Sequence, residues 1–201
     1  MILVIDTSSP SSSVIATIDG DQMSESVSAG RGLEMDHLRR LARTRRITKV
    51  AVASGPGSFT GLRAGVSFGL GLAKGLGIPI VPLPTLELQA ARSEEPVTAV
   101  ADAGRGRFYF LVPGGEVALG APADIPTAYP LVGRVARIAG HRFKPEKELR
   151  RLVEAAAKML ETAREVPYGS LEIEYMQSFS IPTKSEPSAG FRGDPSKASR
   201  K

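Results

Sequence analysis

Short apolar runs separated by turn residues organise the first thirty positions of the chain. Residues 2–5 form an apolar run that predicts a buried strand, and residues 14–18 predict its hairpin partner, with a turn at Asp19 and Gly20. Residues 22–28 predict a third strand. The pattern therefore predicts three antiparallel strands at the start of the fold.

Helices and strands alternate over the next sixty residues. Leu38 and Leu41 recur at helical spacing and predict a helix over residues 33–44. After it, strands are predicted at 50–53 and 78–82, and helices at 60–75 and 85–92. Because such alternation is typical of parallel sheets, we expect these strands to lie parallel.

The pattern weakens in the second half of the chain. Strands are predicted at 97–101, 107–112, 116–119, 129–132 and 171–176, and a helix at 147–165. Antiparallel strands followed by parallel strands with helices is the order of an α/β, ribonuclease-H-like fold. We expect an N-terminal lobe over 1–100, a smaller C-terminal lobe over 101–183 and a disordered basic tail over 184–201.

The predicted helix over residues 60–75 contains five glycines. Each costs up to about 1 kcal/mol relative to alanine, so packing must hold this helix in place. Gly61, Gly65 and Gly69 recur every four residues and form a stripe that allows close approach. The stripe predicts a helix–helix contact, either inside the chain or with a partner.

The turn before this helix has the chemistry of a phosphate-binding loop. Gly55, Gly57, Ser58 and Thr60 lie between a predicted strand and the helix, where free N–H groups can meet an anion. The lysine of a Walker loop and the third glycine of a dinucleotide fingerprint are both missing. The alternative is a tight turn in which Ser58 or Thr60 caps the helix.

A second polar group follows the first strand at Asp6, Thr7 and Ser8. A carboxylate beside hydroxyl side chains can hold a magnesium-bound phosphate. The alternative, which we favour, is a turn in which the aspartate accepts local N–H groups.

Composition excludes several classes of site. The chain of 201 residues has no cysteine, which excludes disulfides, thiolate metal sites and a cysteine nucleophile. His37 and His141 lie in no metal-ligand spacing. No base lies near any nucleophile in the pattern, so we expect no catalytic residues, no metal and no cofactor.

Charge and hydropathy suggest a cytoplasmic protein. The net charge is +5, and part of it lies in the tail. A basic cluster near the predicted first helix is more typical of a solvated face than of a nucleic-acid contact; it contains Arg39, Arg40, Arg43 and Arg45. The N-terminus lacks a signal-peptide pattern, and the apolar run at 61–76 is too short to span a bilayer.

Three segments resemble the TsaB family, also called YeaZ. They are residues 1–8, residues 54–63 with the string GSFTGLR, and residues 75–79. The family belongs to the bacterial machinery for threonylcarbamoyladenosine in tRNA. The resemblance implies an actin-like, two-lobed fold with a reduced second lobe, and a non-catalytic role.

The resemblance also implies partners. Members pair with the transferase subunit TsaD through their two N-terminal helices, and the ATPase TsaE joins the complex, so tRNA is met only through that complex. A homodimer through the same face is expected when TsaD is missing. The implied partner interface comprises Leu38, Leu41, Gly61, Leu62, Gly65, Val66, Gly69 and Leu70.

Two further features bear on activity. TsaD carries a His-x-x-x-His metal motif, whose two places fall here on Thr85 and Gln89. The alternative function is a small actin-like nucleotide-binding hydrolase or kinase that uses Asp6, Ser8 and the turn at 55–61. A third candidate function is that of an RNA-binding module that uses the basic cluster.

Overall fold

Two β-sheets carry the fold in the computed structural model, which describes residues 1–30, 33–44, 46–166 and 171. The first sheet has the order β3-β2-β1-β4-β5. Its strands are β1 (Ile2–Asp6), β2 (Ser12–Asp19), β3 (Gln22–Ala29), β4 (Lys49–Gly55) and β5 (Ile80–Pro84). Strands β1 to β3 pair antiparallel, whereas β4 pairs parallel with both β1 and β5. The three antiparallel strands and the parallel pairs agree with the sequence pattern.

The second sheet has the order β8-β7-β6-β9. Its strands are β6 (Thr98–Gly104), β7 (Arg107–Leu111), β8 (Val117–Gly120) and the short β9 (Leu131–Val132). Strands β6 to β8 pair antiparallel, and β9 pairs parallel with β6. The predicted strand at 171–176 lies outside the described residues except for Leu171, which is not in a strand.

Within the described residues, four α-helices flank these sheets: α1 (Met35–Thr44), α2 (Phe59–Leu76), α3 (Thr85–Ala90) and α4 (Leu152–Leu160). The helix predicted at 147–165 is shorter in the structure, because the residues that precede Leu152 form other hydrogen bonds. Glu146–Glu148 forms a 3₁₀ turn, and the Arg150 N–H donates to the Arg92 carbonyl at 2.8 Å. That bond holds Arg150 outside the helix.

The first sheet buries apolar side chains on both faces, because successive residues of a strand point to opposite sides. Leu3 and Ile5 face α1 and α2 and pack with Leu38 and Val66. Val4 faces the opposite side, in a cluster that includes residues of α4 and α3. Helix α3 lies between the sheets and also packs on β6 through Leu86.

The first lobe is built from two separate parts of the chain. Helix α4 packs against the first sheet, although the predicted boundaries assign residues 101–183 to the second lobe. Val166 then forms a bridge to Ile80, on the outer edge of β5. The second sheet spans only residues 98–132. The predicted tail at 184–201 lies outside the described residues.

Candidate functional site in the cleft between the two sheets

Asp6, Thr7 and Ser8 form a buried turn at the end of β1. Asp6 Oδ1 accepts the Ser8 N–H at 2.9 Å and the Ser8 hydroxyl at 2.5 Å. The Thr7 hydroxyl donates to the Gly61 carbonyl at 2.7 Å, which ties this turn to α2. These contacts are those of the favoured alternative, a turn in which Asp6 accepts local hydrogen bonds.

The turn at residues 55–61 packs directly on that first turn. The Ser58 N–H donates to the Ser8 carbonyl at 2.7 Å, and a side chain at Gly57 would lie 2.6 Å from the same oxygen. The Ser58 hydroxyl accepts the Gly61 N–H at 3.3 Å and caps α2, whereas Thr60 is exposed on its first turn. The two predicted phosphate-binding turns thus contact each other directly.

A small cleft remains between the two sheets. It has a volume of about 10 Å³ and is lined by Ser8, Ser9, Thr85, Gln89, Val100, Ala101, Asp102 and Arg134. Pockets that enclose drug-sized ligands have volumes of about 300–1,000 Å³. The cleft is therefore smaller than a nucleotide site requires.

Arg134 reaches across this cleft from the second lobe. Its Nη2 donates to the Ser12 hydroxyl at 2.7 Å, and its Nη1 lies 3.7 Å from Asp6 Oδ2. Asp6 is fully buried, and neither Oδ2 nor Nη1 has a hydrogen-bond partner. No sequence pattern indicated Arg134, because it follows the weak pattern after Pro122 and its partners are distant along the chain.

Thr85 and Gln89 lie one helical turn apart on α3 and face the cleft. Both are buried, at 1% and 2% exposure. Thr85 Oγ1 accepts the Gly55 N–H at 3.2 Å, and Gln89 Oε1 accepts from Arg92 Nη1 at 3.3 Å. A hydroxyl and an amide are poor replacements for two imidazole ligands, and both are engaged in structural contacts. These residues do not fit a metal site.

No group of three histidine or carboxylate side chains among the described residues is placed to hold a metal ion. Within that same part of the chain, no helix combines the length and apolar character needed to cross a membrane.

The glycine stripe of α2 faces the chain's own sheet. A side chain at Gly61 would collide with the Thr7 carbonyl, one at Gly65 with the Thr7 hydroxyl, and one at Gly69 would lie 2.5 Å from Val52 Cγ1. The close approach predicted from the stripe is therefore to Thr7 after β1 and to strand β4, and the predicted helix–helix contact through these glycines was wrong.

This packing corrects part of the implied interface. Its buried members contact the first sheet and its core, so they are not available to a partner; they are Leu38, Gly61, Leu62, Gly65, Val66 and Gly69. Leu41 and Leu70 are half-buried at the margin of the same core and stay as candidates.

The opposite side of α2 is exposed and has a second row of small residues. Ala64, Ser67, Gly71 and Gly75 are all exposed, and a Cβ added at either glycine would meet no atom within 4 Å. We call these four residues the outer face of α2. Near the start of the helix, the Arg63 guanidinium lies 4.0 Å from the centre of the exposed Phe59 ring.

The basic cluster on α1 is partly neutralised. Arg39 pairs with Asp36 at 3.1 Å, one turn earlier on the same helix, and Arg40 and Arg43 are exposed. Arg45 lies outside the described residues. The Arg39–Asp36 pair supports the interpretation of this cluster as a solvated face.

Comparisons with known proteins identify the family. Residues 41–186, more than half of the chain, match the family model described as TsaD: tRNA N6-adenosine threonylcarbamoyltransferase. The TsaB protein of Bacillus subtilis, described as a tRNA threonylcarbamoyladenosine biosynthesis protein, is 41% identical over 66 residues, 31% of this chain and 29% of the relative. The equivalent protein of Haemophilus influenzae is 36% identical over 70 residues, 32% of this chain and 30% of the relative.

The chain thus spans less than a third of the length of the curated relatives it matches. YeaZ from Pseudomonas aeruginosa has a similar solved structure, with a TM-score of 0.65 at 19% identity, over 87% of this chain and 99% of that one. The predicted actin-like α/β fold, with mixed sheets and flanking helices, is confirmed. This chain belongs to the family that the TsaD model describes, and it is similar to TsaB proteins in sequence and to YeaZ in fold.

Proposed function

We propose that the chain is a non-catalytic subunit that binds a TsaD-like transferase and supports threonylcarbamoyladenosine modification of tRNA next to the anticodon. In this proposal a TsaE-like ATPase joins the same complex, and the chain contacts tRNA only as part of that complex. The names of the curated TsaB relatives support the pathway. The observation that carries the non-catalytic role is the small volume of the cleft between the two sheets.

Each part of a nucleotide or metal site is engaged inside the chain. Asp6 is held by Ser8 and faces Arg134, and the two turns that could embrace a phosphate pack on each other. Thr85 and Gln89 occupy the places of the metal ligands and make structural hydrogen bonds. The family relation supplies the fold, and the engagement of Thr85 and Gln89 in structural hydrogen bonds favours a binding role.

The surface offered to the transferase subunit is the outer face of α2 together with Leu41 of α1. The small residues of this face allow another helix to approach closely. The half-buried Phe68, Leu70 and Leu72 of α2 lie beside it. Close approach maximises dispersion contacts at a helix interface. In the absence of TsaD, a second copy of the chain is expected to cover this face.

Complementation tests the pathway. Cells depleted of their own TsaB are supplied with this chain and its cognate TsaD-like and TsaE-like proteins, and threonylcarbamoyladenosine is measured by mass spectrometry of digested tRNA. We expect the modified nucleoside to return. Its absence, with all proteins present at normal levels, contradicts the proposal.

Co-purification tests the surface. Gly71→Leu adds a bulky side chain on the outer face of α2, where nothing inside the chain obstructs it. Lys158→Leu is the matched control, because it adds leucine to an exposed position of α4 on the other side of the sheet. We expect at least about tenfold less TsaD-like protein with Gly71→Leu, which corresponds to about 1.4 kcal/mol. Equal recovery with both variants removes this face from the interface.

Titration with magnesium-ATP separates the proposal from the alternative of a nucleotide hydrolase or kinase. We expect no heat of binding from the isolated chain, because the cleft is small and Thr85 and Gln89 are hydrogen-bonded within the chain. Micromolar binding that is lost in Asp6→Asn favours the enzyme instead.

A further inference from the structure

We propose that Arg134 is an inter-lobe latch, which holds the two lobes closed by supplying the positive charge that buried Asp6 requires. In many two-lobed proteins a ligand between the lobes drives closure. Here the contact between lobes is made by a side chain of the protein itself. The inference concerns the state of the isolated chain and is independent of the proposed partner.

The burial of Asp6 creates the need for a cation. Asp6 has 0% exposure, and an isolated buried carboxylate is strongly disfavoured unless it is paired and hydrogen-bonded. Ser8 satisfies Oδ1 with two hydrogen bonds, but Oδ2 accepts none. The Arg134 guanidinium, 3.7 Å away, is the group that balances this second oxygen.

The segment that carries Arg134 is fixed to both lobes. On its own side, Gly133 packs so closely on Val100 of β6 that a Cβ would lie 2.9 Å from Val100 Cγ2. On the other side, the Arg134 carbonyl accepts the Ser9 hydroxyl at 2.8 Å, and Nη2 donates to Ser12 at 2.7 Å. Three contacts from one residue thus reach the β1–β2 region of the first lobe.

The latch differs from an ordinary surface ion pair in its burial. The Arg134 side chain has 14% exposure, so the pair is weakly screened by water and salt. Removing one partner of a buried pair leaves the other charged and unsolvated, which is far more disruptive than removing both. The two charges are therefore predicted to be strongly coupled.

The absence of cysteine allows a direct test of closure. Asp21→Cys on the β2–β3 turn and Glu116→Cys on the second lobe introduce two unique, exposed sites for spin labels. Pulsed electron–electron double resonance then gives the distribution of distances between the two spin labels, one on each lobe. Arg134→Met removes the charge and retains the length, and Arg137→Met is the control at an exposed arginine of the same segment.

We expect one narrow distance in the parent and in Arg137→Met, and a broadened or longer distribution in Arg134→Met. Amide exchange at residues 8–12 should become roughly tenfold faster in Arg134→Met only. If Arg134→Met does not fold, Arg134→Gln is measured, because an amide removes the charge and keeps a hydrogen-bond donor toward Ser12. Unchanged distances in a folded Arg134→Met or Arg134→Gln overturn the proposal.

A double variant separates latching from simple stabilisation. Asp6→Asn with Arg134→Met leaves no buried charge, so the free energy of unfolding should recover relative to either single variant. The lobes should nevertheless remain open, because the cross-cleft attraction is gone. If stability and closure recover together, Arg134 is only a structural residue and the latch is wrong.

Discussion

The sharpest prediction compares two glycines of the same helix. Gly69 and Gly71 both lie in the interior of α2, so replacement by alanine gives each the same gain in helix propensity, about 1 kcal/mol. They differ in what a Cβ meets. At Gly69 it lies 2.5 Å from Val52 Cγ1 and 3.4 Å from Val50 Cγ1, whereas at Gly71 it meets nothing within 4 Å.

The difference between the two variants isolates the packing of the glycine stripe. Overfilling a well-packed core costs about 1–3 kcal/mol, and Val52 is fully buried on a central strand. Gly71→Ala should therefore raise the free energy of unfolding by up to about 1 kcal/mol. Gly69→Ala should lie about 1–3 kcal/mol below Gly71→Ala.

Urea unfolding followed by far-UV circular dichroism is the suitable assay, because the chain has no tryptophan. In thermal unfolding of a chain of this size, each kcal/mol of difference between the two variants corresponds to about 2–4 °C in melting temperature. Equal stability of Gly69→Ala and Gly71→Ala refutes the conclusion that the stripe packs on the sheet. Lower stability of Gly71→Ala than of the parent refutes the exposure of the outer face of α2 in the free chain.

Three smaller predictions follow from single contacts. Ser58→Ala removes the cap of α2 and should lower the free energy of unfolding by about 0.5–2 kcal/mol, with Ser58→Asn as the rescuing control. Thr7→Val removes the bond to the Gly61 carbonyl at constant shape and should cost about 0.5–1.5 kcal/mol in urea unfolding. The Lys144 ammonium holds the pKa of Glu95 below its ordinary value of 4.5, so Lys144→Met should be less stable than the parent at neutral pH. That difference should shrink below pH 4.5 and vanish once Glu95 is protonated in the folded state, as acid titration of the midpoint would show; a constant difference contradicts it.

Local patterns predicted the strands and most helices well. The apolar runs of β1 and β2 and the spacing of Leu38 and Leu41 reflect burial within short segments, which a sequence displays directly. The start of α4 was harder to predict, because Arg150 is held by the distant Arg92 carbonyl. A contact that far along the chain leaves no local periodicity.

The candidate site in the cleft between the two sheets was predicted only in part. The polar groups after β1 and β4 were identified, because they follow apolar runs and contain aspartate, serine and glycine. Arg134 was missed, since its role depends on where the second lobe places it. The glycine stripe indicated close approach correctly, but small residues alone do not specify whether a helix or a sheet lies opposite.

The return of α4 to the first sheet has a consequence for synthesis of the protein. Val4 emerges from the ribosome long before Leu152 and Val153 of α4, and its cluster closes only with them. Until then the nascent first sheet has one face incompletely covered, which is the condition under which partly folded chains aggregate. The second sheet is translated in between and can form earlier, so the first lobe to be made is the last to be completed.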